Sequence, residues 1–368
     1  MKKLFLYANI NPNDKSVGIT KKVLDEIDAF KALGYEVYYT CYLEKFIAVV
    51  DAKSGNVIKT YRYFPLLRPI TRRYSLMRAA REFLAEGNLF DLIYARYHYF
   101  DYACLRMLQE CRKRAKKVVM EMHSYPCLTR KEHIVYYLDK WYTKRCVQYV
   151  DLFANMSNDD LPFSKPQVRI TNTINKGTVS IRTPHKRDDV ITMLTVSYER
   201  EGHGFDRAIR GLRNYYGNGG KRKFRILFVG KYRDSTKQLM HNLKLENYCE
   251  FLPPAQCDAL DDYYNQADLA IGHLANHRIG SFSGSSIKVQ EYLAKGIPFV
   301  YAWNEMTVPD DFPYALKFEL NDEPLDFEKI VSFYDALPDA EKVASEMRSY
   351  FETFAGWENQ MRKLLEKI

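Results

Sequence analysis

At 368 residues the chain is too long for one ordinary core, and two domains of about 150–200 residues each are the natural division. Its 46% hydrophobic and 27% charged residues, without an internal repeat or a low-complexity tract, exclude a fibre and a disordered chain. The net charge of +9 is uneven: residues 1–185 hold 31 Lys and Arg against 18 Asp and Glu, and residues 186–368 hold 24 against 28.

Short apolar runs alternate with stretches of helical period, the pattern of βα units around a parallel sheet. Lys3–Asn9 reads as the first strand. Leu4–Ile10 after Lys2 and Lys3 imitates a secretory signal, but the run is short, is broken by Asn9 and leads into Asn11, Asn13, Asp14 and Lys15. No run approaches the ~18 apolar residues that span a bilayer, so a cytoplasmic protein is expected. Gly18–Leu33 reads as a helix stopped by Gly34, Glu36–Leu43 as a strand, and Ala48–Tyr61 around Ser54-Gly55-Asn56 as a hairpin. A helix near Arg72–Glu86, a strand at Asp91–Arg96, a helix over Tyr102–Arg114 and a strand at Lys117–Met122 follow. A long helix over Glu132–Tyr149 and the strand Leu152–Met156 complete the first half.

Lys176–Asp189 mixes Gly, Pro and charge without an apolar period and reads as an interdomain linker. Beyond it come strand Val190–Val196, helix Asp206–Asn214, strand Phe224–Val229, helix Ser235–Leu245 and the short strand Cys249–Leu252. Helix Cys257–Asn265, strand Leu269–Leu274, helix Ser286–Ala294, strand Phe299–Ala302 and two closing helices finish the chain. The expected domains are Rossmann-like units over 1–180 and 190–345, with a helix at 346–368 that packs back on the first. Doubly wound units bind ligands at the carboxyl ends of their strands, which places the expected site in a cleft between the two.

The seven cysteines (41, 104, 111, 127, 146, 249 and 257) show no Cys-x-x-Cys pair and read as reduced packing residues. The clusters Arg68/Arg72/Arg73/Arg78/Arg81 and Arg112/Lys113/Arg114/Lys116/Lys117 read either as a solvated face or as an attraction to anionic lipid or a phosphate-bearing acceptor. His273 and His277 have zincin-like spacing without the Glu, which predicts no metal site. The 29 tyrosines are dispersed, and no nucleic-acid module is recognisable.

Ser281–Val300 concentrates the chemistry. Ser285 or Ser286 is a good N-cap, and Gly296 with Pro298 ends the helix. A Gly/Ser loop entering a helix presents N–H groups to a phosphate or diphosphate. Lys288 and Glu291 share a helix face, a cation for the diphosphate and a carboxylate for ribose hydroxyls. An ordinary capped helix with a surface ion pair fits the same residues.

Ser283–Val300 resembles the nucleotide-sugar signature of retaining GT-B glycosyltransferases of the family 4 type, Glu-x7-Glu followed by Tyr-Leu-Ala-x-Gly-x-Pro. Gly204–Ile209 resembles the segment that opens the first helix of that family's second domain. Phe228–Lys231 resembles its strand-to-glycine turn, Ala267–Ile271 the strand before the signature, and Asn172–Asn175 the end of the first domain. His123, just past Val118–Met122, sits where many such enzymes carry a strand-end histidine. The sequence departs from the pattern at three places: Ser283 stands for the first Glu, His203 for a Lys, and Tyr198 for an Arg, with Arg200 close by.

The resemblance implies a GT-B α/β fold, two Rossmann-like doubly wound domains facing a central cleft. It implies transfer of a sugar from a nucleotide-sugar, expected to be a UDP- or GDP-sugar, with retention and without a metal, and the basic first half points to a glycan or lipid-linked acceptor at the inner membrane face. No further cofactor is implied, and the sequence contains no Asp-x-Asp. It assigns His123, Lys231 and Lys288 to catalysis. Gly18 (in the loop near Ser16–Thr20), Arg200, His203, Gly204, Arg278, Ser285, Ser286 and Glu291 are assigned to the donor. Two alternatives use the same fold: a sugar-nucleotide epimerase or hydrolase, and a non-catalytic nucleotide-sugar-binding subunit, to which Ser283 lends support.

Overall fold

Apolar strands alternating with amphipathic helices build two sheets, one in each of two units. The structure, a computed structural model, describes residues 2–14, 18–64, 68–128, 133–157, 160–186, 188–255 and 258–368. Ser16, Val17, Glu132 and Cys257, which the sequence reading placed in a loop and in two helices, lie outside these residues. The first unit is Met1–Thr171 with Trp357–Ile368, and the second is Asn172–Gly356.

The first unit has eight strands: β1 (Lys2–Tyr7), β2 (Tyr35–Tyr42), β3 (Ile47–Asp51), β4 (Val57–Tyr61), β5 (Phe90–Arg96), β6 (Ala115–Met122), β7 (Leu152–Asn155) and β8 (Gln167–Arg169). Their order is β4-β3-β2-β1-β5-β6-β7-β8. All neighbours pair parallel except the β3–β4 hairpin and its seam with β2. Because side chains alternate along a strand, the sheet has two cores. One face, with Leu4, Leu6, Val37, Tyr94 and Val119, packs on α1 (Gly18–Ala32) and α11 (Trp357–Leu365). The other, with Phe5, Tyr7, Ile93, Val118 and Met120, packs on α2 (Arg68–Ala85), α3 (Tyr102–Arg114) and α4 (Ile134–Val147).

The second sheet is wholly parallel, in the order β11-β10-β9-β12-β14-β16. Its strands are β9 (Val190–Tyr198), β10 (Lys223–Lys231), β11 (Cys249–Leu252), β12 (Leu269–Ile271), β14 (Phe299–Tyr301) and β16 (Ala315–Lys317). Two short strands, β13 (Ser283–Gly284) and β15 (Asn304–Glu305), pair beside it. The helices are α5 (Phe205–Gly217), α6 (Asp234–Asn242), α7 (Asp258–Gln266), α8 (Ile287–Lys295), α9 (Phe327–Ala336) and α10 (Ala340–Tyr350). A π-helical turn, Phe351–Ala355, leads from α10 to α11.

The strands β8, β13, β15 and β16 were not expected, since two or three residues carry no readable period. Lys176–Asp189, read as a linker, belongs instead to the second unit. Buried Arg182 holds it there: its Nε donates to the Gly296 carbonyl at 3.1 Å, its guanidinium to the Ala267 carbonyl, and its backbone N–H to Lys295 at 3.0 Å. Arg348 adds bonds to the Val179 carbonyl at 2.6 Å and the Lys176 carbonyl at 2.9 Å, and attachment through arginines and backbone carbonyls leaves no apolar period in the sequence.

Gly230, at the end of β10, has φ +132°, and a Cβ there would lie 2.0 Å from the Ser197 carbonyl oxygen. Gly230→Ala is therefore expected to cost about 2–5 kcal/mol of stability, from backbone strain and overpacking together. Urea unfolding checks this, and an unchanged midpoint would refute the close approach.

Candidate functional site

In the second unit a cavity of about 700 Å³ opens where the strands end. Ser197 and Tyr198 close β9, Gly230 closes β10, His273 and Asn276 follow β12, and Ser285, Ser286, Lys288 and Glu291 come from the start of α8. Arg200 and His203 reach it from the turn before α5. Gly204 does not line the cavity but makes that turn: at φ +64°, its hydrogen-only side lets the chain approach Ala275, whose Cβ would be 2.6 Å from an added Cβ.

Beside the exposed Arg200, Lys288 is the half-buried cation of the cavity. Its ammonium lies 3.3 Å from Thr195 Oγ1, 3.4 Å from Ser197 Oγ and 5.0 Å from the centre of the Phe205 ring. No carboxylate of the described residues forms an ion pair with it. Burial pushes it down to about 7, with the charges of Glu291 and Glu199 opposing. One turn on, Glu291 accepts from the Tyr264 hydroxyl at 2.9 Å.

His203 is buried and its Nδ1 accepts from the Arg200 N–H at 3.1 Å, so the ring proton sits on Nε2. Burial, then the charge of Lys288, push it down to about 2. His273 meets it edge-on at 4.8 Å and is pushed down to about 4, again chiefly by burial. Both rings stand in the cavity as neutral imidazoles.

The start of α8 is partly occupied by the protein itself. Both oxygens of Glu305 accept from the Ser286 N–H, at 3.2 and 3.0 Å, and burial pushes this carboxyl up to about 8 despite that bond. The Ser285 hydroxyl donates to the Asn172 carbonyl at 2.7 Å. Two other expected cations stand outside the lining. Arg278 bonds Asp206 at 2.7 and 3.0 Å and Asp322 at 2.6 Å, and exposed Lys231 lies 6.0 Å from the centre of the Tyr198 ring.

His123 and Gly18 belong to the first unit. Gly18 opens α1, and His123 follows β6, where a buried charge cluster surrounds it. Glu26 and Glu121 are both fully buried. Arg96 bridges them at 3.2 and 3.3 Å, and Lys22 bonds Glu26 at 3.1 Å and also Glu121. Burial opposes the charge of Glu121, yet Arg96, Lys22 and His123 hold it well below the carboxylate range. Burial and the neighbouring Glu121 raise Glu26. His123 Nε2 lies 2.7 Å from Glu121 and 2.8 Å from Arg96 Nη2, so one nitrogen has both a donor and an acceptor beside it. Which bond forms depends on whether that nitrogen carries a proton.

No protein-family model and no curated protein matches the chain. Solved structures do. A glycosyltransferase from Rickettsia africae ESF-5 aligns over 99% of this chain and 97% of its own at 13% identity, with a TM-score of 0.66. The fold is GT-B. A lipopolysaccharide outer core galactosyltransferase shares it over 100% of both chains at 11% identity and TM-score 0.58. So does the catalytic domain of starch synthase IV from Arabidopsis thaliana, bound to ADP and acarbose, over 100% and 98% at 11% and 0.54.

Within this GT-B chain, sequence reasoning passed over Lys22, Arg96, Glu121 and Glu305, and weighed His273 only as a metal ligand. A signal was present for Glu121, a carboxylate inside the apolar run Val118–Met122, and for Arg96, which ends the preceding strand. Arg96→Met is expected to cost about 3–5 kcal/mol, because it leaves two buried carboxylates with one cation. Chemical denaturation measures this, and a loss below 1 kcal/mol would refute mutual dependence within the cluster.

Proposed function

We propose that the chain is a glycosyltransferase that moves a sugar from a UDP- or GDP-sugar to a glycan or lipid-linked acceptor, with retention and without a metal. The observation that carries this reading is Lys288, a cation without an acidic partner among the described residues, set in a cavity at the strand ends of a GT-B fold. In this reading Lys288 and Arg200, the cations that line the cavity, balance the donor diphosphate and the charge that develops as it departs. Glu291 accepts from ribose hydroxyls, and the neutral His203 donates through Nε2. His123 is assigned to the transferred sugar or the acceptor, with Glu121 and Arg96 fixing its ring. A cytoplasmic protein in peripheral contact with an anionic membrane fits the basic first half, and no helix of the described residues is long and apolar enough to cross a membrane. Ser283 in place of a glutamate favours one second reading, a subunit that binds the nucleotide-sugar without turning it over.

A thermal-shift screen with UDP, GDP, ADP and their sugars tests the donor. A true ligand at 100 times its Kd adds about 2.7 kcal/mol of stability, and no shift with any of them would overturn the proposal. Lys288→Ala is expected to lose donor affinity together with about 2.7–4 kcal/mol of transition-state stabilisation. Glu291→Ala is expected to weaken nucleotide binding by about 1–3 kcal/mol in calorimetry. Binding without turnover in the unaltered chain would select the second reading.

The pH dependence follows from Lys288. In the free protein its ammonium loses a proton as pH rises through about 7, and a diphosphate favours the charged form. Affinity for the nucleotide-sugar is therefore expected to be full below pH 7 and to fall above it, by at most about tenfold per unit for one proton. Titration calorimetry from pH 6 to 9 checks the sign, and rising affinity would contradict it.

A further inference from the structure

The helices on the two sides of the first unit's sheet differ in charge. Helices α2, α3 and α4 carry twelve lysines and arginines against three acids, whereas α1 and α11 on the other face carry five against four. Part of that charge is tied up in the fold: Arg73 pairs with Asp101, Arg78 with Glu82 and the Arg62 carbonyl, Arg112 with Asp151, and Lys113 and Arg114 with Glu110. Arg81, Arg106, Lys140, Lys144 and Arg145 form no ion pair among the described residues. Arg78, Arg81 and Arg106 line a cavity of about 400 Å³ between α2 and α3, together with Tyr74 and Tyr102.

Helix α4 adds an apolar element. On its inner side the Asp139 carboxylate accepts from the Phe100 N–H at 2.8 Å, the Cys127 N–H at 2.9 Å and the Tyr97 hydroxyl, and this fixes how the helix is rotated. Ile134, Tyr137 and Trp141, spaced three and four apart, therefore come out on the opposite side, 66%, 58% and 67% exposed. Lys144 continues their stripe, and the Arg145 guanidinium lies 5.2 Å from the centre of the Trp141 ring.

A soluble polyanion would be met by cations alone and leaves a Trp, a Tyr and an Ile in water. A second copy of the chain would set like charges face to face. An anionic bilayer answers both features, since Trp and Tyr favour the headgroup level and Lys and Arg favour anionic headgroups. We propose that the outer face of the α2–α4 layer docks this protein on an anionic membrane, with the Ile134/Tyr137/Trp141 stripe entering the interface and Arg81 and Arg106 of the α2–α3 cavity holding a lipid phosphate. This deepens the membrane-contact part of the proposed function. It needs neither donor nor turnover, so either idea can fail while the other stands.

The test uses the whole chain with phosphatidylcholine vesicles, with and without phosphatidylglycerol. Trp303 and Trp357 are buried, so a blue shift of emission on binding reports Trp141 and should vanish in Trp141→Phe. Sedimentation should show binding to anionic vesicles that fades with salt. Lys144→Ala with Arg145→Ala should lower the partition coefficient about twenty-fivefold, near fivefold for each cation. These residues are exposed, and an unchanged melting temperature confirms that the variants fold. Equal binding to neutral and anionic vesicles would overturn the proposal. So would anionic binding that leaves Trp141 emission unmoved, vesicle binding fully displaced by inorganic phosphate, or self-association through Trp141 without vesicle binding.

Discussion

A sheet whose strands all run parallel delivers every strand-to-helix loop to one edge, and the second unit is organised by that constraint. Residues that follow β9, β11 and β12 line the cavity there, with Gly230 from the end of β10. The groups at this edge must tolerate partial removal from water, and beside the exposed Arg200 several of them are neutral or readily neutralised. His203 and His273 are held uncharged, Glu305 is raised, and Lys288 is brought near neutrality. Such an edge is poised to receive charge from outside, since an arriving anion restores the ammonium that burial disfavours.

The first unit treats buried charge in the opposite way. Its strand-end cluster is closed on itself, with Lys22 and Arg96 set against Glu26 and Glu121. Both carboxylates find cations within the same few ångströms, so little field is left for a visiting ion. What remains available is the rim, where His123 is 40% exposed and its ring is steered by the buried pair. One unit thus offers an unanswered cation and the other a positioned imidazole. That contrast lies in the side chains and not in the shared Rossmann-like topology.

The larger elements were legible because their signals are local. Alternating strand and helix periods, Gly34 and Gly296 as helix stops, and Ser54-Gly55-Asn56 as a hairpin each lie within a few residues of what they specify. Lys288 and Glu291 were legible through helical spacing, and the structure brings both into one cavity. Partners far apart in sequence were not legible. Glu305 reaches Ser286 across nineteen residues, and Arg96 meets Glu26 across seventy, with nothing local to announce either. The same limit applies to Arg278, a cation by composition, whose neutralisation by Asp206 and Asp322 depends on segments brought together only by folding.

The return of α11 to the first unit has a consequence for how the chain is made. Trp357, Met361 and Leu364 complete the core on the α1 face, and Trp357 also lies under Lys22, 5.4 Å from it. The second unit is thus an insertion, contiguous from Asn172 to Gly356, and its core closes without these residues. On the ribosome the first unit emerges first, yet its core on the α1 face stays incomplete until residues beyond 356 arrive. The later-made unit can finish folding before the earlier one. The exposed α1 face is the surface that a chaperone would have to shield during that interval.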